Sequence, residues 1–406
     1  MDQVWDVLQQ RGFLFDVSGI ELLKEESKKP LAVYAGFDLT AESFHVGHLV
    51  PLMALRHLQR AGHKVVALLG GATTRIGDPS DKNAERPMLA EAVIEKNKAC
   101  LRKAFQHFLC DGPLEIVDNS DWLSSVKYLE FLRDIGRHFS MNRMMKFEFI
   151  RRRLDANLPL SFLEVNYIAL QSYDFLHLFD TFGCKVQLGG QDQWANIISG
   201  VELVRRVRDE KAFAVTCPLV TTSSGQKMGK TASGAVWLDA EKCSPYDFWQ
   251  FWRNTTDADV GRFLKLFTFL DMDQVKRLES LEGQELNKAK EVLADQVTAL
   301  LHGQEAAENA CTQAQKLFAG QGGEAEQAFV VSDPSMELSQ LLVDIGLVSS
   351  KSEARRLIRS KAVKLDGHVA TDETANLETA MSAPPKSGQA IHLSVGKKKH
   401  KALQVS

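Results

Sequence analysis

A chain of 406 residues and 45.2 kDa, 44% hydrophobic and 25% charged, has room for two or three globular domains and lacks the bias of a disordered or fibrous protein. No apolar run approaches the ~20 residues of a membrane helix, and the start Met1-Asp2-Gln3-Val4-Trp5-Asp6 is acidic where a secretory signal is basic, so a cytoplasmic location is expected. Six cysteines without a C-x-x-C pair argue against a zinc site or a disulfide framework, and a net charge of −3 against a surface that coats nucleic acid everywhere.

In chain order, Leu31 to Phe37 predicts a buried strand, and His48 to Ala61 a helix through Leu49, Leu52, Leu55 and Leu58, with Pro51 in its first turn. Lys64 to Leu69 predicts a second strand, closed by Gly70-Gly71. Such a strand–helix–strand unit opens a parallel sheet. Lys185 to Leu188 and Phe213 to Val220 predict further strands. After Pro245 the pattern turns helical, over Tyr246 to Asn254, Val260 to Leu270 and Gln284 to Leu301. Gly320-Gln321-Gly322-Gly323-Glu324 predicts a disordered linker. Beyond it, Leu338, Leu341, Leu342 and Ile345 form one helix face, Ser350-Lys351-Ser352-Glu353 a capping box, and Val363 to Val369 a hairpin turning at Asp366-Gly367. The expected architecture is an α/β protein: a Rossmann-like parallel-sheet catalytic domain over 1–225, an α-helical domain over 226–319, a linker over 320–335 and a small α+β domain over 336–406. Residues 332–406 carry eleven Lys/Arg against eight Asp/Glu, a basic module on an acidic body.

Two short signatures carry the chemistry. His45-Val46-Gly47-His48 lies between the first strand and its helix. A helix start offers free N–H groups and a positive dipole end, Gly47 lacks a Cβ that would hold off a flat base or ribose, and two imidazoles can donate to phosphate oxygens. Lys227-Met228-Gly229-Lys230-Thr231 lies on a loop preceded by Ser223-Ser224-Gly225. Ammonium groups there can meet the charge growing on a departing pyrophosphate. Alone, each motif also fits a solvated cap or turn; together they describe a grip on a triphosphate from two sides. Between them, Tyr167, Gln171 and Asp174 fall at i, i+4 and i+7, a polar stripe on an otherwise apolar helix. Such a stripe is internally paired, faces water or lines a cavity.

The stretch Tyr34-Ala35-Gly36-Phe37-Asp38-Leu39-Thr40 through His48, with Gly70-Gly71-Ala72-Thr73, Gly77-Asp78-Pro79-Ser80, Gln187 through Trp194 and the Lys227 loop, resembles the class I aminoacyl-tRNA synthetases, specifically the bacterial-type tyrosyl branch. The tail resembles an S4 RNA-binding domain. The loop departs from the family's K-M-S-K-S element in having Gly229 and Thr231. The resemblance implies a tyrosine–tRNA ligase that uses ATP with Mg²⁺, acts on L-tyrosine and tRNA(Tyr), and forms a homodimer. It implies that Thr40, His45, His48, Lys82, Arg86, Lys227, Lys230 and Thr231 promote catalysis. Tyr34 and Asp174 would hold the tyrosine hydroxyl, Asp78, Tyr167 and Gln171 its ammonium, and Gln187 and Gln193 the aminoacyl part. Gly36, Asp38, Gly47, Gly190, Asp192 and Lys230 would bind ATP, and Lys351, Arg355, Arg356 and Arg359 the RNA. The alternatives are a cofactor-making adenylyltransferase, the tryptophanyl relative, and a non-catalytic RNA-binding protein on a synthetase scaffold.

Overall fold

A computed structural model describes residues 3–80, 89–223, 225, 228–231, 234–318, 329–331, 333–381, 390–396 and 399–405. The expected linker at Gly320 to Glu324 lies outside them. The chain forms two compact units, residues 1–308 and 309–406.

The first unit is built on a five-stranded sheet of β1 (Ala32–Asp38), β2 (Lys64–Gly70), β3 (Leu114–Asp118), β4 (Cys184–Gly190) and β5 (Phe213–Cys217), in the order β3-β2-β1-β4-β5 and parallel throughout. The unbroken apolar run of β2 follows from burial on both faces. Val66 and Leu68 join Tyr34 in a cluster with Phe175 and Leu203, while Val65, Ala67 and Leu69 are buried on the opposite side of the pleat. The chain leaves β1 for β2 and β3 on one side, then returns to β4 and β5 on the other. Such a reversal opens a crevice at the carboxyl ends of the two central strands. Here the β1–β4 ladder ends at Tyr34 opposite Gln187, so the last residues of both strands border that crevice unpaired with each other.

Most expected elements form, with shifted ends. His45 is extended, Val46–His48 makes a single 3-10 turn, and the helix proper runs Leu49–Arg60. β5 stops at Cys217 because Pro218 has no N–H with which to continue the ladder. Helices Pro245–Arg253, Asp257–Phe267 and Leu286–His302 match the helical region and belong to the same unit as the sheet. β3 and the helix Glu91–Phe108 were not evident in the sequence: β3 is short and only half-buried.

The second unit holds a five-stranded sheet over a core that includes Leu338, Leu341, Leu342, Ile358 and Leu393. Its hairpin turns on Asp366 and Gly367, at φ 47° and 83°, as an Asp-Gly turn requires. The expected capping box is half formed. Ser350 accepts from the Glu353 N–H, but the Glu353 carboxylate returns to the N–H of Ser349, one residue early.

Candidate active site

One cavity of about 350 Å³ occupies the crevice between β1 and β4. Its walls include Tyr34, Gly36, Asp38 and Thr40 from and after β1, His45, Gly47 and His48 from the first signature, Asp78, and Tyr167, Gln171 and Asp174 from the helix Phe162–Phe182; Gln187, Gly190, Asp192 and Gln193 close it at the end of β4. The polar stripe of the helix thus lines a cavity and does not face water.

The helix that presents the stripe begins with a true capping box. Ser161 accepts from the Glu164 N–H, and the Glu164 carboxylate accepts from the Ser161 N–H at 2.9 Å. Glu164 also pairs with the fully buried Arg153 guanidinium, which fixes the helix start.

At the deep end, Asp174 is 1% exposed. Its carboxylate accepts from Trp122 Nε1 at 2.8 Å and from Asn119 Nδ2 at 2.9 Å. Burial pushes the carboxyl up to about 7, against the opposing pull of those two donors. Tyr34 is completely buried, edge-on to Phe175 at 5.1 Å, and its hydroxyl has no hydrogen-bond partner among the described residues. Burial and the nearby Asp174 charge raise the Tyr34 phenol well above its ordinary value, so it stays a donor. Asn119 and Trp122 were missed from sequence. The only signal was the polar turn Asp118-Asn119-Ser120-Asp121-Trp122, and without β3 nothing placed that turn at the carboxyl end of the sheet.

Polar side chains on the flank are knitted together. Gln193 donates to Asp78 at 2.7 Å and to Asp192 at 3.0 Å; Asn196, also missed, donates to Gln171 at 3.0 Å and to Gln193 at 3.2 Å. Tyr167 donates to Asp38 at 3.2 Å, and Thr73 reaches the other Asp38 oxygen at 2.9 Å. Gln187 keeps a buried carbonyl oxygen with no partner among the described residues.

At the mouth, His45 Nδ1 accepts from the Gly47 N–H at 3.0 Å and His48 Nδ1 from the His45 N–H at 3.2 Å. These bonds assign both ring protons to Nε2, which leaves each imidazole a donor. Burial and the adjacent His45 push His48 down to about 3, so it is neutral at any working pH. The fold gives Gly47 a reason within the protein itself. A Cβ there would lie 2.7 Å from Cε1 of His45, so glycine lets the imidazole fold over its own turn.

The family model described as tRNA synthetases class I (W and Y) matches residues 25–319. The chain belongs to that family. An S4 domain matches residues 336–378. A tyrosine–tRNA ligase of Zymomonas mobilis is 49% identical over 98% of this chain and 97% of its own length, and one of Xanthobacter autotrophicus 49% identical over 98% and 96%. A C-terminally truncated mitochondrial tyrosyl-tRNA synthetase of Aspergillus nidulans superimposes with a TM-score of 0.70 at 30% identity, covering 78% of this chain and 94% of that one. A tryptophanyl-tRNA synthetase of Encephalitozoon cuniculi shares the fold, with a TM-score of 0.54 at 15% identity, covering 75% and 87%.

In this class I synthetase the second signature sits against the first. Gly229 is at φ +86°, and a Cβ there would lie 3.0 Å from the Gly47 nitrogen and 3.3 Å from His45 Nδ1. The Val46 N–H donates to Val236 O at 3.0 Å and the Val236 N–H to Gly229 O at 3.0 Å, which ties the two signatures into one strip of backbone. Lys230 and Thr231 form a two-residue ladder with Gly234 and Ala235. Lys82, Arg86 and Lys227 lie outside the described residues. In the S4 unit the helix Lys351–Arg359 exposes all four basic candidates. Arg355 pairs with Glu337 at 2.9 Å and Arg359 with Glu373 at 2.6 Å; Lys351 lies 3.9 Å from Glu337. A polyanion must compete with those carboxylates.

Proposed function

We propose that this synthetase is a tyrosine–tRNA ligase that forms tyrosyl-adenylate from L-tyrosine and ATP at the β1–β4 crevice and transfers tyrosine to the 3′-terminal adenosine of tRNA(Tyr). The observation that carries the choice of amino acid is the pairing, deep in the cavity, of an orphan tyrosine hydroxyl with a buried carboxylate. An incoming phenol donates to Asp174 and accepts from Tyr34. An indole has no group that satisfies both.

Asp78, Tyr167 and Gln171 meet the ammonium, and Gln187 and Gln193 the aminoacyl part. The tyrosine carboxylate attacks the α-phosphorus, forming a C–O–P bond as the bond to pyrophosphate breaks. The nucleophile is already an anion, so no general base is needed, and rate comes from alignment and charge stabilisation. Thr40 and the Nε2–H donors of His45 and His48 face the phosphates, and Lys82, Arg86, Lys227, Lys230 and Thr231 complete the grip. Gly36, Asp38, Gly47, Gly190 and Asp192 border the nucleoside. The ribose hydroxyl of the tRNA end then attacks the adenylate carbonyl and AMP leaves.

The reading includes Mg²⁺ that arrives on ATP and is held by phosphate and water. Lys351, Arg355, Arg356 and Arg359 meet RNA phosphates. We assign a homodimer, with the interface on the segment 128–145, where the large apolar side chains Tyr128, Leu129, Leu132, Met141 and Met145 are all exposed. The reading also takes the location as cytoplasmic; no described helix is long and apolar enough to cross a membrane. ATP–pyrophosphate exchange with tyrosine, phenylalanine and tryptophan in parallel tests the assignment: exchange with tyrosine alone is expected, and no exchange with tyrosine overturns it.

A further inference from the structure

The loop that carries the second signature is held by a helix of the region that follows it. The helix Asp257–Phe267 has Thr256 at its N-cap and Asp259 two residues past its first residue. A carboxylate at that position ordinarily folds back onto the N–H of its own cap residue. Here it does not. Asp259, 3% exposed, accepts from the Ser223 N–H at 2.9 Å and from the Thr256 hydroxyl at 2.7 Å through one oxygen, and from Arg262 Nη2 at 2.8 Å through the other. Arg262 Nη2 also donates to the Thr221 carbonyl, and the Ser223 and Thr256 hydroxyls are 3.0 Å apart. Burial alone would raise the Asp259 carboxyl; the Ser223 N–H, the Thr256 hydroxyl and the Arg262 charge outweigh it and hold the group ionised.

The other end of the helix is also fixed. Its closing residue Thr268 has no backbone cap, and the Arg11 guanidinium, from the helix Val4–Arg11, donates to the carbonyls of Lys265 at 3.0 Å, Thr268 at 2.8 Å and Leu270. Arg11 thereby satisfies carbonyls that a helix end leaves open. The same helix packs against the helix Leu49–Arg60, which the first signature begins. The loop stem and the imidazole turn are therefore referred to one rigid helix. From the stem the backbone returns through the Met228 N–H to Val220 O, at 2.8 Å, to seat Gly229 on Gly47.

We propose that Asp259, with Thr256 and Arg262, is a positioning residue for adenylate formation, anchoring Thr221 to Ser223 so that Met228 to Lys230 return in register with His45 and Gly47. The assignment rests on the ligase reading. None of the three side chains lines the cavity, so loss of the anchor slows the chemical step without loosening tyrosine. Hydrogen bonds to a charged group are strong enough that releasing the stem should cost roughly ten- to a hundredfold in rate.

The test measures tyrosine affinity by fluorescence titration, kcat and KM by tyrosine-dependent ATP–pyrophosphate exchange, and folding by thermal melt, on the full chain. For Asp259→Ala, tyrosine affinity within twofold of wild type and exchange kcat at least tenfold down is expected. Arg262→Ala, on a half-exposed side chain, removes the Thr221 contact if the Asp259 variant does not fold; a fall of threefold or more in kcat, partly rescued by Arg262→Lys, is expected. Folded variants that exchange within twofold of wild type overturn the proposal, as does a parallel loss of tyrosine affinity and kcat. A wild-type protein that fails to exchange with tyrosine overturns the ligase reading itself, which separates the two failures.

Discussion

Replacing Asp174 with Asn removes one charge and leaves the volume of the buried site unchanged. The carboxylate receives two donors, Trp122 Nε1 at 2.8 Å and Asn119 Nδ2 at 2.9 Å, and still has lone pairs for a phenol. An amide has one acceptor oxygen, so its NH₂ must face one of those donors. The phenol then loses a hydrogen bond to a charged acceptor, about 1.5–3 kcal/mol, or roughly ten- to a hundredfold in tyrosine kcat/KM. Phenylalanine makes no such bond and should be little affected, so the tyrosine-to-phenylalanine ratio falls by up to about a hundredfold. Tyrosyl enzymes are themselves the reference case for strong rejection of phenylalanine, at about 10⁵; that magnitude belongs to the family and does not follow from these distances. The assay is exchange with each amino acid across pH 5.5–9. In the free protein Asp174 ionises at about 7, so wild-type kcat/KM for tyrosine should rise through that pH, and the Asn variant should lack the inflection. The same ionisation acts on stability. A carboxyl raised from 3.8 to about 7 binds its proton more tightly folded than unfolded. Its contribution is therefore complete below the unfolded value and lost as pH rises to about 7, on the order of 4 kcal/mol in all. The variant should melt with a shallower pH dependence over that window. A folded Asn variant whose tyrosine-to-phenylalanine ratio stays within threefold of wild type would refute the role of Asp174.

Trp122→Phe deletes one donor to Asp174, so the inflection in tyrosine kcat/KM should move about one unit alkaline, as read from the same pH profiles. Gly229→Ala places a side chain at φ +86° and 3.0 Å from the Gly47 nitrogen; at about 1–2 kcal/mol for a left-handed L-residue, exchange kcat should fall about tenfold with tyrosine affinity unchanged by titration. Deleting residues 332–406 should spare adenylate formation, followed by exchange, and impair charging of tRNA(Tyr), followed by aminoacylation. Equal loss of both in a folded truncation would oppose that division of labour.

Local pattern determined a good deal of this protein. The strands that border the crevice, the glycines that mark their ends, and the helix spacing of Tyr167, Gln171 and Asp174 follow from side-chain period and backbone freedom, which neighbours in sequence fix. The resemblance carried by the two signatures supplied the family. Tertiary structure decided what each residue's partner is. Asn119 and Trp122 reach Asp174 across more than fifty positions of chain, and the strand just before them, β3, is only five residues long and half-buried, too weak a pattern to announce itself. Asp259 has the sequence of an ordinary helix-start carboxylate, yet one of its oxygens accepts from a loop 36 residues away. Gly47 and Gly229, remote in sequence, need their missing side chains because each backbone is pressed against His45. Burial, desolvation and long-range hydrogen bonds depend on which surfaces the fold brings together, and no local pattern encodes that choice.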